Sequence, residues 1–298
     1  MGRGVDKAAV ARLLHEHGLA TAPFHEVALS DVRQLLDLYP ANARLVARTS
    51  RAGTSARHLP RMVDSTAQAI VDWSGDLLPG TSLLVSPYGH LIASAEVAMT
   101  RSWVLVEAVY GVWELDNRQP PASAMGRRAN DGVTWTRRTI SIASYRRRFS
   151  FESGLDQDGP VPGWVLGGFC DWAATFAPAL DRLSSAVGEP QIVKVLFYAE
   201  WGMQAMNARP IGDLLEPFED DVSLPPPGTL VVSSADQALA PTDAVILTAS
   251  AAREEAASIE GLIRRLVHLG VETAYLESGL LSHIAIALRE SGVRVRCI

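Results

Sequence analysis

Ala274-Tyr275-Leu276-Glu277-Ser278-Gly279-Leu280-Leu281-Ser282-His283-Ile284-Ala285-Ile286-Ala287-Leu288-Arg289-Glu290 reads as a β-run, a small-residue turn and an apolar helix that begins on a histidine. This order places the imidazole at a helix N-terminus, on the carboxyl edge of a strand. Free N–H groups and a partial positive charge gather there, which suits a phosphate. Histidine is a nucleophile and a leaving group near neutral pH, so it can take up a phosphoryl group and pass it on. A histidine in this place also serves as a simple cap or surface residue.

The pattern continues on both sides. Gly228–Ser233, Ala244–Thr248, Thr273–Glu277 and Val293–Cys297 read as strands, with helices over Arg253–Leu269 and His283–Ser291. Strands alternating with helices predict a small α/β module over 229–298. It follows a spacer over 216–228, acidic and then Pro225-Pro226-Pro227, whose consecutive prolines favour an extended, semi-rigid chain.

The remaining residues, 1–215, predict a larger α/β (α+β) domain. A helix is expected over 7–20 and strands over Glu26–Ala28 and Ala43–Thr49, with Ser30 capping a helix Asp31–Leu38. Residues 50–62 form an arginine-rich loop, and Ser65–Trp73 reads as a helix. Strands follow at Thr81–Pro87, Leu91–Met99 and Trp103–Val109, then a loop over 117–132 and a strand Val133–Ile142. Leu166–Val187 reads as a long helix, interrupted or kinked near Pro178. Gln191–Ile211 is a hairpin that turns at Glu200–Gly202.

Composition narrows the function. The net charge of −6 argues against wholesale nucleic-acid binding. No apolar run approaches the roughly 20 residues of a bilayer span. The N-terminus lacks the apolar core of a signal peptide. The two cysteines, Cys170 and Cys297, have no metal-like spacing, which points to a reducing cytoplasm. Of 27 basic residues only Lys7 and Lys194 are lysines, so each asks whether its position needs a compact ammonium.

Three stretches together resemble the phosphoenolpyruvate-utilising enzymes: phosphoenolpyruvate synthase, pyruvate phosphate dikinase and rifampin phosphotransferase. Gly279, Ser282, His283, Ala285, Ile286, Arg289 and Glu290 fall on their phosphohistidine loop. Gly4-Val5-Asp6-Lys7-Ala8, Gly18 to Pro23 and Ala47-Arg48-Thr49-Ser50 resemble the opening of their ATP-binding domain. Gly188, Pro190, Gln191, Asn207 and Arg209-Pro210-Ile211 resemble its end. The resemblance implies an ATP-grasp-like nucleotide-binding domain followed by a phosphohistidine-like swivelling module.

It further implies ATP and Mg²⁺ as cofactors. Lys7, Arg48, Glu107, Asn207 and Arg209 would contact ATP, and Glu114 and Glu200 would be oxygen donors for the metal. His283, Ser282 and Arg289 would be the catalytic group. The expected reaction moves the β-phosphate of ATP through phosphohistidine to a small-molecule acceptor, which binds this chain or a partner subunit, with release of AMP and phosphate. The two metal carboxylates of the resembled family fall near Val193 and Val195, with Lys194 between them, so nucleotide binding is better supported than phosphoryl transfer. The opening stretch equally fits an ATP-grasp ligase that joins a carboxylate to an amine. A nucleotide-binding subunit without catalysis is the third expectation.

Overall fold

A computed structural model describes residues 7–50, 60–111, 121–129, 132–139, 163–211, 225–248, 251, 256–277, 279 and 282–297. It is a mixed α/β fold with three sheets, two of them antiparallel in their described pairings and one parallel. The chain divides into two compact units: 1–90 with 197–208, and 91–196 with 209–298.

The first unit opens with helix α1 (Lys7–Glu16), whose Val10, Ala11 and Leu14 are buried. Strands β1 (His25–Ala28), β2 (Leu45–Ser50), β3 (Arg61–Ser65) and β4 (Ser82–Pro87) form an antiparallel sheet in the order β1-β4-β2-β3. Between β1 and β2 the chain does not form the helix expected over 31–38. A 3₁₀ segment, Leu29–Gln34, runs into a single α turn, α2 (Leu35–Leu38). Ala28, not Ser30, stands at the N-cap without a side-chain bond, so nothing local enforces a full α-helix. Helix α3 (Ala67–Ser74) is capped by Thr66, whose hydroxyl accepts from the Ala69 N–H at 3.2 Å. Its Ala67 and Ile70 meet Val27, Val32, Leu35, Leu45, Ala47, Leu83 and Val85 in one apolar core.

The six-stranded sheet has the order β10-β9-β5-β6-β7-β8. Its strands are β5 (Leu91–Met99), β6 (Trp103–Tyr110), β7 (Ala122–Ala129), β8 (Gly132–Thr139), β9 (Gln191–Tyr198) and β10 (Gly202–Pro210). Strand β7 corrects the loop expected over 117–132. Its sequence, Ala-Ser-Ala-Met-Gly-Arg-Arg-Ala, has no β-branched residue, and pairing with β6 and β8 holds it extended. The helical stretch expected over 166–187 with an interruption near Pro178 forms two helices, α4 (Gly163–Thr175) and α5 (Ala177–Val187), broken at Phe176 with Pro178 in the first turn of the second. Residues 51–59 and 112–120 of the expected loops lie outside the described residues.

The second unit ends in a wholly parallel sheet, β11 (Leu230–Val232), β12 (Ala244–Leu247), β13 (Thr273–Leu276) and β14 (Arg294–Cys297), in sequential order. Helices α6 (Ala256–His268) and α7 (His283–Glu290) make the crossovers. Leu262, Leu266, Ile284, Ala285 and Leu288 bury their side chains against Val245, Leu247, Ala274 and Leu276. The α/β module expected over 229–298 is present, as a part of this second compact unit.

Candidate functional site

One face of the six-stranded sheet concentrates buried charge. Glu96 on β5 lies directly opposite Glu107 on β6, and Ala98 directly opposite Leu105. Directly opposed residues project from the same side of a sheet. Ala98, Trp103, Leu105, Ile192 and Ile211 form a cluster joined by Met125, Ile286 and Val295. Side chains two apart on a strand share a face. Lys194 therefore lies on the face of Ile192, and Arg209 on that of Ile211. Glu96, Glu107 and Lys194 are 5%, 1% and 6% exposed, respectively.

These charges are organised as pairs. Arg209 Nη2 donates to Glu96 Oε2. Two carboxylates set opposite each other repel, so a cation beside each is what makes the juxtaposition tolerable. For Glu107 that cation is Arg289. Ile286 seats α7 on the sheet face, and Arg289 follows one turn later on the same side of the helix. Burial pushes the Arg289 guanidinium down to about 10, against the upward pull of Glu107. Arg209 pushes it down further and Glu290 raises it.

Gly279, four residues before α7, fits tightly against Glu107. Gly279 has φ +87°, and a Cβ there would lie 2.7 Å from Glu107 Oε2 and 2.7 Å from Pro121 Cγ. Ser282 caps α7. Its hydroxyl accepts from the Ala285 N–H at 3.3 Å and donates to the Gly279 carbonyl at 2.8 Å. These bonds make Ser282 the N-cap of α7. His283 is the first residue of α7, at the helix N-terminus that the sequence predicts, and its side chain lies outside the described residues.

The opposite face of this sheet is the helical side. Arg128 alternates with Arg127, the residue opposite Trp103, and so projects away from the charged face. It makes a two-pronged pair with Asp181 of α5, at 2.8 and 2.7 Å. Val193 and Val195, at 0% exposure, project to this side, away from Lys194.

In the first unit, Lys7 begins α1, and its side chain lies outside the described residues. Arg48 is half-buried on β2, between Arg61 of β3 and Leu84 of β4. Asn207 Oδ1 accepts from the Ala208 N–H at 3.0 Å. Glu200, expected at a metal, instead accepts from the His90 backbone N–H at 2.9 and 3.2 Å and pairs with His90 Nδ1. Glu114 lies outside the described residues.

Of the two expected metal donors, Glu200 is engaged by His90 and Glu114 lies outside the described residues. Positions 193 and 195 are apolar and turned to the helices, Glu200 is tied to His90, and Glu96 and Glu107 each face a guanidinium. Among the described residues no group of three or more His, Cys, Asp or Glu side chains could hold a metal ion. Glu96 escaped the sequence reading. Its signal was a single acid inside the nine-residue run Leu91–Met99, otherwise apolar except for Ser94.

No protein-family model and no curated protein matches the chain. Solved structures do. An ADP complex of N5-carboxyaminoimidazole ribonucleotide synthetase aligns at 10% identity and TM-score 0.39, over 70% of this chain and 45% of its own. The D-cycloserine synthetase DcsG aligns at 16% identity and TM-score 0.36, over 69% and 62%. The D-alanine-D-alanine ligase of Helicobacter pylori aligns at 9% identity and TM-score 0.36, over 69% and 54%. The chain thus spans between about half and three fifths of these proteins' lengths.

Proposed function

We propose that the chain binds ATP on the charged face of the six-stranded sheet and uses it, as an ATP-grasp-type enzyme, to join a carboxylate to an amine. The observation that carries this reading is the burial of Glu96, Glu107 and Lys194 on one face beside the partly exposed Arg209, contributed by four strands. Buried charge is costly, and its concentration in one place marks a site more often than a core. In this reading Arg209 and Lys194 face the phosphates. Glu107, whose carboxylate is hydrogen-bond acceptor only, orients donor groups of the nucleotide.

The chemistry balances in two steps. A carboxylate oxygen of the substrate attacks the γ-phosphorus, the bond to the β-phosphate oxygen breaks, and ADP leaves. The amine then attacks the acyl carbon, phosphate leaves with the bonding pair, and the amine proton passes to a base or to water. Fixed cations on the sheet stabilise the charge that develops on the transferring oxygens.

The phosphohistidine route is the second reading, favoured by the position of His283 at the start of α7. That route needs a module that travels. Here Ile286 and Val295 of the module share an apolar cluster with Leu105, Ile192 and Ile211 of the sheet, and Gly279 is fitted against Glu107.

The test is product analysis with ATP labelled separately at the β and γ positions, with pooled amino acids as carboxylates and amines. ADP with γ-labelled phosphate, formed only when both substrates are present, is the expected result. AMP with acid-labile β-label on the wild-type protein, absent from His283→Ala, would replace it with the phosphohistidine route. ATP binding without turnover in either assay would leave a nucleotide-binding subunit.

A further inference from the structure

We infer that the C-terminal α/β module closes the charged face of the six-stranded sheet against its ligand: the module and a polyphosphate occupy the place at Glu107 in turn, and release of the module opens the site. The inference rests on the nucleotide reading above and specifies what regulates access to that site.

Both sides of the contact belong to the second compact unit. Ile286 of α7 and Val295 of β14 pack against the cluster that holds Ala98, Leu105, Ile192 and Ile211. Each of these four lies two positions along the chain from Glu96, Glu107, Lys194 or Arg209, and so shares their face. At Glu107 the closure is complete. The Gly279 backbone stands so close to the carboxylate that a Cβ does not fit, and Glu107 is 1% exposed. A phosphate group needs more room than a methyl group, and this packing leaves neither. Arg289 of α7 stands among Glu107, Arg209 and Glu290, so the module also takes part in the charge balance of the place it covers.

The module is built to come away whole. Its core runs from Val232 to Val293, with Leu230 and Val295 packed against it, and every member lies within the module. Ile286 stands outside that core and packs on the sheet instead. Undocking therefore uncovers a small apolar area and the surroundings of Glu107 and Arg289, while the module's own core stays closed. A closed state lowers the apparent affinity in proportion to the fraction of molecules that are open. In the phosphohistidine route α7 and the nucleotide must meet on this face; here each excludes the other.

The test compares the full-length wild type with Arg289→Gln, which strands the Glu107 charge beneath the module, and with Ile286→Ser, which weakens the apolar seat of α7. Hydroxyl-radical footprinting reads the exposure of Trp103 and Met125 at the contact, with the buried Trp172 of α4 as control. Calorimetric titration with ATP and with inorganic tripolyphosphate reads affinity, and thermal melts confirm that each variant is folded. Both variants are expected to oxidise faster than wild type at Trp103 and Met125, with Trp172 unchanged. They should bind the ligands about fivefold or more tightly, because the closed state no longer competes. In wild type, saturating tripolyphosphate should raise the oxidation of Ile286 and Val295.

Folded variants whose Trp103 and Met125 stay protected overturn the inference. Opened variants that bind ATP no more tightly than wild type does, or more weakly, overturn it too and leave the ATP reading intact. Opened variants that gain affinity for tripolyphosphate but do not bind ATP sustain the closure and sink the ATP reading. Binding of neither ligand by any of the proteins overturns both. If neither variant folds, the wild-type footprint with tripolyphosphate decides alone, and Ile286 and Val295 that remain protected overturn the inference.

Discussion

The backbone of Gly279 lies so close to the carboxylate of Glu107 that a Cβ on the glycine would stand 2.7 Å from Oε2. Gly279 also holds φ +87°, a conformation that costs an L-residue about 1–2 kcal/mol. Gly270 offers the control, since it has φ +78° and nothing within 4 Å of a notional Cβ. Gly279→Ala should therefore lose about 3 kcal/mol or more, because the steric conflict adds to the conformational cost. Gly270→Ala should lose only about 1–2 kcal/mol. Urea unfolding of both proteins measures the difference. Equal losses would show that the glycine serves only the turn.

The Arg209–Glu96 pair predicts an asymmetry. Its two side chains are 23% and 7% exposed. Arg209→Gln strands the deeper charge and should cost about 3–5 kcal/mol. Glu96→Gln leaves a guanidinium with partial access to water, and should cost about 2–3 kcal/mol, discounted for that access. The double substitution should cost clearly less than the sum, since neither charge is then abandoned. A double-mutant cycle in denaturant reads all three. Additive losses would mean that the pair is not coupled.

How much of this was written in the sequence differs by element. The parallel module was legible because its apolar runs are short, its helices periodic and its turns rich in small residues; the hairpin likewise announced itself at Glu200–Gly202. Strand β7 was not, because Ala, Ser, Gly and Arg carry no strand signal and its neighbours hold it extended. The resemblance singled out Gly279, Ser282 and Arg289, and packing gives two of them structural work that no local pattern discloses. Ser282 caps the helix, and Gly279 makes room for a carboxylate from a strand some 170 residues earlier. Pairings between distant strands, such as Glu96 with Glu107, depend on register, which no local pattern discloses.

Acid should act through Glu200. Burial pushes its carboxyl up, but the His90 side-chain bond, backbone bonds and the His90 charge together hold it below its ordinary 4.5. A carboxyl depressed in the folded state contributes stability that is present above the unfolded value and is lost as pH falls through the folded one. Asp64 behaves alike, held down first by its hydrogen bond from Arg44. The stability of wild type and of Glu200→Gln should run parallel with pH above about 6 and converge as pH drops below 4.5. Chemical denaturation at a series of pH values checks this. Curves that stay parallel down to acid pH would remove Glu200 from the linkage.

A carboxylate introduced at position 193 should not create a metal site. Val193 is wholly buried and faces the helical side of the sheet, across the strand from Lys194. Val193→Asp places a carboxyl at a position that is 0% exposed, between Ile192 and Lys194 on β9. The group would neutralise by an upward pKa shift, be driven toward solvent or remain as uncompensated charge, and the cost should be about 3–5 kcal/mol. Melting of the variant in EDTA and in excess Mg²⁺ is the measurement. The expected outcome is a lower Tm that Mg²⁺ leaves unchanged, because a divalent ion bound there would need the face on which Lys194 lies. A Tm that rises with Mg²⁺ in the variant but not in wild type would show instead that a carboxylate at position 193 can hold a divalent ion.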